Sequence, residues 1–60
     1  MSKIMTLEEV AKYLKVDEST IYTWANNGTI PAAKLGRLWR FDKEEIDRWI
    51  KERSKQNQGR

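Results

Sequence analysis

The side chains best suited to chemistry lie in one stretch, VDESTIYTWAN at residues 16–26. Hydroxyl and amide groups bond base edges and phosphates, and a tyrosine can stack or donate to a phosphate. In a helix turning about 100° per residue, polar groups here point away from Ile21 and Trp24. The candidate nucleic-acid contacts are Ser19, Thr20, Tyr22, Thr23 and Asn26. Exposed polar residues are also ordinary on a solvated helix, so this face alone leaves both interpretations open.

A basic segment follows, in which Lys34, Arg37 and Arg40 occur without an acidic residue between 29 and 41. Arg37, beside Gly36 at a turn, can enter a minor groove, whose narrow channel concentrates negative potential. Lys34 and Arg40 can lie along a phosphate backbone. A basic hairpin can also be a solvated edge that resists aggregation. Together with a helix-turn-helix, which the sequence also predicts, the basic segment favours DNA contact.

Three helix starts share one pattern: an apolar residue, a capping residue, and an apolar residue four positions into the helix. This is a hydrophobic staple around an N-cap. It occurs at Met5-Thr6 with Val10, Val16-Asp17 with Ile21, and Phe41-Asp42 with Ile46; Glu9 and Glu45 add capping boxes. The pattern predicts helices over about 7–14, 18–26 and 43–53.

Only Lys15 and Val16 separate the first helix from the Asp17 cap, so the first two helices must cross steeply, as in a helix-turn-helix. Gly28 is the expected left-handed residue that ends the second helix. The chain then leaves in an extended form, because Pro31 disfavours helix at the residue before it.

Residues 32–41 predict a hairpin with two alternative registers. A two-residue turn at Gly36-Arg37 pairs Leu35 with Leu38. A three-residue tip pairs Leu35 with Trp39 and puts Lys34 and Arg40 together on the outer face. We favour the second, because burial of one face fixes register. The like-charge pair costs some stability, which is understandable if an anion sits between the two cations.

The expected fold is therefore mainly α: three helices with a two-stranded wing between helices 2 and 3, a winged helix-turn-helix. Residues 1–53 form one domain, and the polar residues 54–60 are expected to be a disordered tail. The core is thin. Trp24, Trp39 and Trp49 are assigned to it rather than to a stacking platform, so Trp24→Ala is expected to unfold the domain.

The composition argues against several functions. The 60 residues include no Cys and no His, so we expect no metal site and no cofactor. The acidic pairs Glu8-Glu9 and Glu44-Glu45 fall in first turns and are explained by capping, so no enzyme is expected. There is no apolar run long enough to span a bilayer and no signal-peptide core, so the expected location is cytoplasmic.

These motifs together resemble the excisionase-type helix-turn-helix family, a winged-helix relative of the MerR-type DNA-binding domain. The resemblance is carried by TLEEVAKYL at 6–14, V-x-x-S-T-I-Y at 16–22, N-G-x-I-P-A at 27–32, K-L-G-R-x-W-R-F at 34–41 and D-x-E-E-I-D-x-W-I at 42–50. Lys15 departs from the pattern at a turn position that Gly commonly occupies. The resemblance implies DNA binding through the second helix and the wing, as a recombination directionality factor or a small transcriptional regulator.

The expected function is sequence-specific binding of double-stranded DNA, with helix 2 in the major groove and helix 1 bracing it. Three basic residues neutralise about three phosphates, which gives a salt slope of about −2.7 and weak binding by a single copy. Useful occupancy would need neighbouring copies or a recombinase or transcription protein. No heptad repeat follows Arg53, so a monomer is expected in solution. The alternative is a protein-interaction module without DNA contact.

Overall fold

A computed structural model describes residues 3–58. Three helices, α1 (Leu7–Leu14), α2 (Glu18–Asn27) and α3 (Lys43–Gln58), account for most of these residues. The strands are β1 (Ile4–Thr6), β2 (Ala33–Leu35) and β3 (Leu38–Asp42). The mainly helical class, the three helices and the hairpin between α2 and α3 confirm the sequence prediction.

The sheet has three strands rather than two, in the order β1-β3-β2. β1 pairs antiparallel with β3, so that Met5 lies opposite Phe41, and the Lys43 amide donates to the Lys3 carbonyl at 2.9 Å. The predicted fold omitted β1. Its pairing partner is far along the chain, and three residues that end in the helix cap Thr6 carry no local strand signal.

The hairpin register is the one that the sequence analysis rejected. Leu35 pairs with Leu38 and Lys34 with Trp39, which leaves a two-residue turn at Gly36-Arg37. Gly36 has φ 66°, the left-handed conformation that tight hairpin turns use. The other register was favoured because burial of one face, with Leu35 opposite Trp39, was expected to fix the pairing. In the structure Leu35 and Leu38 are 61% and 54% exposed.

The caps are confirmed in part. At the start of α1, the Glu9 amide donates to Thr6 Oγ1 at 3.1 Å and the Thr6 amide donates to Glu9 Oε1 at 2.9 Å, a complete capping box. Asp42 accepts from the amide of Glu44 at 3.0 Å. Asp17 precedes α2 in an extended conformation, but its side chain makes no capping hydrogen bond, contrary to expectation.

The core joins β1 and β3 to all three helices. Its buried residues are Met5, Val10, Ala11, Ile21, Ala25, Ile30, Phe41 and Ile46. The three tryptophans pack against this core but are only half-buried, so their assignment as core residues was too strong. Trp24 and Trp49 contact each other with ring centroids 5.7 Å apart, and Trp49 Nε1 donates to the Thr29 carbonyl at 2.9 Å.

α3 continues to Gln58, whereas the sequence prediction ended it at Arg53 and began a disordered tail at Ser54. The apolar stripe of this helix stops early, and the prediction followed that stripe. Lys and Gln nevertheless have good helix propensity, which allows the backbone to continue without burial. The part of the predicted tail at 59–60 lies outside the described residues.

A polar contact ties α1 to α3. The Tyr13 hydroxyl donates to one oxygen of Asp47, and Lys43 Nζ lies 3.0 Å from the other. The hydrogen bond from Tyr13, followed by that from Lys43, holds the pKa of Asp47 below its ordinary value. Because folding lowers this pKa, the contact stabilises the folded state at pH values above the pKa that the carboxyl has in the unfolded chain. The stabilisation is lost as the pH falls through the pKa of the folded state.

The turn between α1 and α2 requires a left-handed residue. Lys15 has φ 60° and ψ 46°, and the Val16 amide behind it donates to the Ala11 carbonyl at 3.0 Å. A residue with a Cβ is disfavoured in this conformation by about 1 kcal/mol. Gly28, which ends α2 with φ 76°, confirms the predicted left-handed C-cap.

We expect Lys15→Gly to raise the free energy of unfolding by up to about 1 kcal/mol, because glycine adopts this conformation without strain. Urea titration followed by tryptophan fluorescence measures the change. Lys12→Gly is the control, since the same substitution within α1 should destabilise by about 1 kcal/mol. A Lys15→Gly variant as unstable as Lys12→Gly would show that the turn is not strained.

Candidate nucleic-acid interface

α2 divides cleanly into a buried and an exposed side. Ile21 and Ala25 are buried in the core. The residues exposed to solvent include Ser19, Tyr22, Thr23 and Asn26, four of the five predicted contacts on this helix. Successive exposed positions at this spacing share one side of a helix. The result is a continuous polar face of hydroxyl and amide groups.

The fifth predicted contact, Thr20, lies at the margin of this face. It is half-buried and borders a shallow surface groove together with Ser19, Thr23 and Trp24. Its amide donates to the Asp17 carbonyl at 3.1 Å, which is the first hydrogen bond of the helix. Thr20 therefore has less freedom to reach a ligand than its exposed neighbours.

Two carboxylates stand at the N-terminal end of the polar face. Asp17 and Glu18 are both exposed, and Asp17 has no capping hydrogen bond to occupy it. Negative charge is favourable at a helix N-terminus, yet it repels a nearby phosphate. This end of α2 is thus better suited to bases than to the phosphate backbone.

The wing is the hairpin of β2 and β3 with its turn at Gly36-Arg37. Arg37 is exposed at the tip. Lys34 lies beside Trp39 across the strands, and its Nζ is 5.4 Å from the centroid of the Trp39 ring. Because alternate residues of a strand share a face, Lys34 is on the sheet face that carries the buried Phe41.

Arg40 is on the opposite face of the wing from Lys34. It pairs with Ala33, is half-buried, and donates from Nη1 to the Trp39 carbonyl at 2.8 Å. The expected arrangement, in which Lys34 and Arg40 flank one anion on the outer face, is therefore wrong. It depended on the three-residue tip, and the two-residue turn moves Lys34 to the other face.

Sequence reasoning missed the apolar character of the outer sheet face. Ile4, Leu35 and Leu38 are 60%, 61% and 54% exposed, and all three side chains belong to that face. The available signal was the pair of leucines flanking Gly36-Arg37. In a two-residue hairpin those leucines are cross-strand neighbours on one face, and the preference for the three-residue tip obscured this signal.

Two packed helices with a short left-handed turn, followed by a hairpin, define a helix-turn-helix module with a wing. The chain belongs to the helix-turn-helix domain family, whose model matches residues 4–54. No solved structure gives a significant match. Within the part of the chain that the structure describes, no helix is both long enough and apolar enough to cross a membrane.

Several relatives share most of this module. The uncharacterised protein YvgK of Bacillus subtilis is 41% identical over 44 residues, which is 73% of this chain and 14% of that protein. Rv0500A of Mycobacterium tuberculosis, provisionally named a DNA-binding protein, is 36% identical over 75% of this chain and 58% of its own length. The DNA-binding transcriptional repressor RacR of Escherichia coli is 48% identical over 55% of this chain and 21% of its own length. The chain thus spans less than two thirds of each of these relatives.

Proposed function

We propose that this chain binds double-stranded DNA sequence-specifically, with α2 in the major groove and Arg37 in the adjacent minor groove. The observation that carries the proposal is the exposed polar side of α2. Ser19, Thr23 and Asn26 offer hydroxyl and amide groups there, while Ile21 anchors the opposite side in the core. Asn bonds adenine in a bidentate manner, and hydroxyls bond several bases.

The relatives support the proposal at the level of the module. One is named a DNA-binding transcriptional repressor and another carries a DNA-binding name. We propose the role of a small transcriptional regulator, with an excisionase-like recombination directionality factor as the second candidate. The repressor's name favours the regulator. Neighbouring copies or a recombinase or transcription protein would add the affinity that one module lacks. The cytoplasmic location stays a prediction.

We assign the charge contacts with DNA to Lys34, on the phosphate backbone, and Arg37, in the minor groove, rather than to all three basic residues of the wing. Arg40 is half-buried on the other sheet face and bonded to the Trp39 carbonyl. Two neutralised phosphates give a slope of log K against log salt of about −1.8, shallower than the −2.7 expected for three.

Fluorescence anisotropy across a salt series tests this assignment. Arg37→Ala should bring the slope to about −0.9, and Arg40→Ala should leave it near −1.8. Arg40→Ala is the matched control, since it removes the same charge from the same hairpin. A loss of slope for Arg40→Ala equal to that for Arg37→Ala would contradict the assignment.

The experiment that tests the function itself is selection of bound sites from random duplexes. A sequence-specific protein should enrich one short motif after several rounds, because each mismatched base pair costs about 1–3 kcal/mol. The protein-interaction alternative predicts no enriched sequence and no binding to any duplex. Retention of duplexes without a shared motif would reduce the proposal to non-specific phosphate binding.

A further inference from the structure

One face of the sheet carries a concentrated set of apolar side chains that the fold leaves uncovered. Ile4, Leu35 and Leu38 are each more than half exposed, although each belongs to a paired strand. Together with Arg40 and Asp42 they form what we call the outer sheet face. Of the exposed large hydrophobic residues in the described chain, only Tyr13 and Tyr22 lie elsewhere. Leu35 and Leu38 are cross-strand neighbours at the turn end of β3, and Ile4 lies beside Asp42 at its other end. Large exposed apolar side chains on one face indicate an interaction surface on a small protein.

A groove of about 300 Å³ crosses this face. Apolar groups from Ile4, Pro31 and Leu35 line it, and charged groups of both signs border it. The positive charge comes from Arg40, and the negative charges come from Asp42 and the nearby Glu45 at the start of α3. No residue of α2 contributes to the groove.

The mixture of charges indicates what kind of partner fits. DNA would be repelled by the two carboxylates, and a purely acidic or purely basic peptide would match only one end. A surface that carries Arg40 and Glu45 on the same patch is complementary to itself. Such self-complementarity is what a two-fold symmetric interface requires, since residue i of one copy meets residue j of the other and the reverse.

Edge-to-edge extension of the sheet is a poorer way to join two copies. The sheet has two edge strands, β1 and β2, each only three residues long, and the central residue of β2 is Lys34. Antiparallel pairing of two β2 strands would bring two like charges together, an arrangement that natural sheet edges use to prevent association. Packing of the outer sheet faces buries Ile4, Leu35 and Leu38 without that repulsion.

We propose that the outer sheet face is a dimerisation surface for a second copy of this chain, with Arg40 of each copy opposite Glu45 of the other. The apolar face is small compared with a standard interface of about 1,600 Å², so the dimer is weak. A monomer was expected because no heptad repeat follows Arg53, but packing of the outer sheet faces needs no coiled coil. A symmetric pair also predicts that selected DNA sites recur as inverted repeats.

Sedimentation equilibrium without DNA tests the proposal on the protein alone. The wild-type chain should approach twice its 7.1 kDa mass as its concentration rises from about 10 μM to about 1 mM. Ile4→Lys should raise the dissociation constant at least about tenfold, because each dimer loses the apolar contact twice. Ile4 is 60% exposed and pairs with Asp42, so the variant should still fold.

A charge exchange identifies the contact itself. Arg40→Glu and Glu45→Arg should each weaken self-association, because each places like charges opposite each other. An equimolar mixture of the two variants should associate again, since the mixed dimer has two salt bridges, one with reversed polarity between the two substituted positions and one with the original polarity between Glu45 and Arg40. Glu52→Arg, the same change at an exposed position of α3 outside the groove, is the control and should leave association unchanged.

Three results would overturn the proposal. They are a monomeric wild type at about 1 mM, an Ile4→Lys variant that dimerises as strongly as wild type, and a mixture that stays as weak as its components. If Arg40→Glu fails to fold, Ile4→Lys and Glu45→Arg still decide the question. If the chain does not dimerise, the DNA proposal is unaffected. Binding of one copy to DNA is measured separately, by the salt series with Arg37→Ala.

Discussion

A Phe41→Ala variant should lose about 3–5 kcal/mol of its free energy of unfolding. Phe41 is 1% exposed and lies opposite Met5 in the sheet, in a core of eight buried residues. A single hydrophobic core in a domain this small rarely supplies more than about 3–5 kcal/mol in total. The variant is therefore expected to be largely unfolded at room temperature, as measured by far-ultraviolet circular dichroism and urea titration.

Leu38→Ala is the matched control for this loss. It removes a large apolar side chain from the same strand at a position that is 54% exposed, so its cost should stay below about 1 kcal/mol. Both variants are measured at low protein concentration, where self-association is negligible. A Phe41→Ala variant with a cooperative transition near that of Leu38→Ala would show that the core is not centred on β3.

The second large effect concerns the polar face of α2. Thr23→Glu should weaken binding to the selected DNA site at least about tenfold, because a carboxylate in the major groove faces phosphates and unpaired base acceptors. Thr23 is exposed, so the free energy of unfolding should change by less than about 0.5 kcal/mol. Fluorescence anisotropy gives the affinity, and urea titration gives the stability.

Ser54→Glu is the control for net charge, since it adds the same negative charge at an exposed hydroxyl position on α3. Its DNA affinity should fall much less than that of Thr23→Glu, because Ser54 lies outside the polar face of α2 and salt screens an exposed charge. Equal losses for Thr23→Glu and Ser54→Glu would mean that only overall charge matters and that α2 makes no specific contact.

Local chemistry made the helical part of the fold predictable. The capping box of Thr6 and Glu9 and the left-handed Gly28 each involve residues within a few positions of one another. The polar side of α2 followed from Ile21 and Trp24, because the helical period fixes which neighbours point away. Lys15 adopts the left-handed turn in spite of its Cβ, with φ 60°.

Non-local pairing was harder to predict. β1 was missed because its partner β3 is distant in sequence, and the hairpin register was wrong because burial of Leu35 was assumed. That single error moved Lys34 to the wrong face and produced an anion site that the structure lacks. An apolar residue is informative about register only if it is buried, and Leu35 is exposed.

The size of a side chain was also an imperfect guide to burial. Trp24 was assigned to the core, and the structure places it half-buried against Trp49. The fully buried positions are instead taken by Phe41 and by β-branched residues such as Val10, Ile21 and Ile46. A thin core has no room to enclose three indole rings, so the tryptophans cover it from the outside.

The central claim is that α2 and the wing tip contact the same duplex, and site-directed DNA cleavage tests it most directly. The chain has no cysteine, so Thr23→Cys and Arg37→Cys can each carry a single cleavage reagent. At low salt, which offsets the lost arginine charge, both should cut the selected site within about one helical turn of each other, Thr23 from the major groove and Arg37 from the minor groove. Cleavage from Thr23 with none from Arg37, or from neither, would contradict the account.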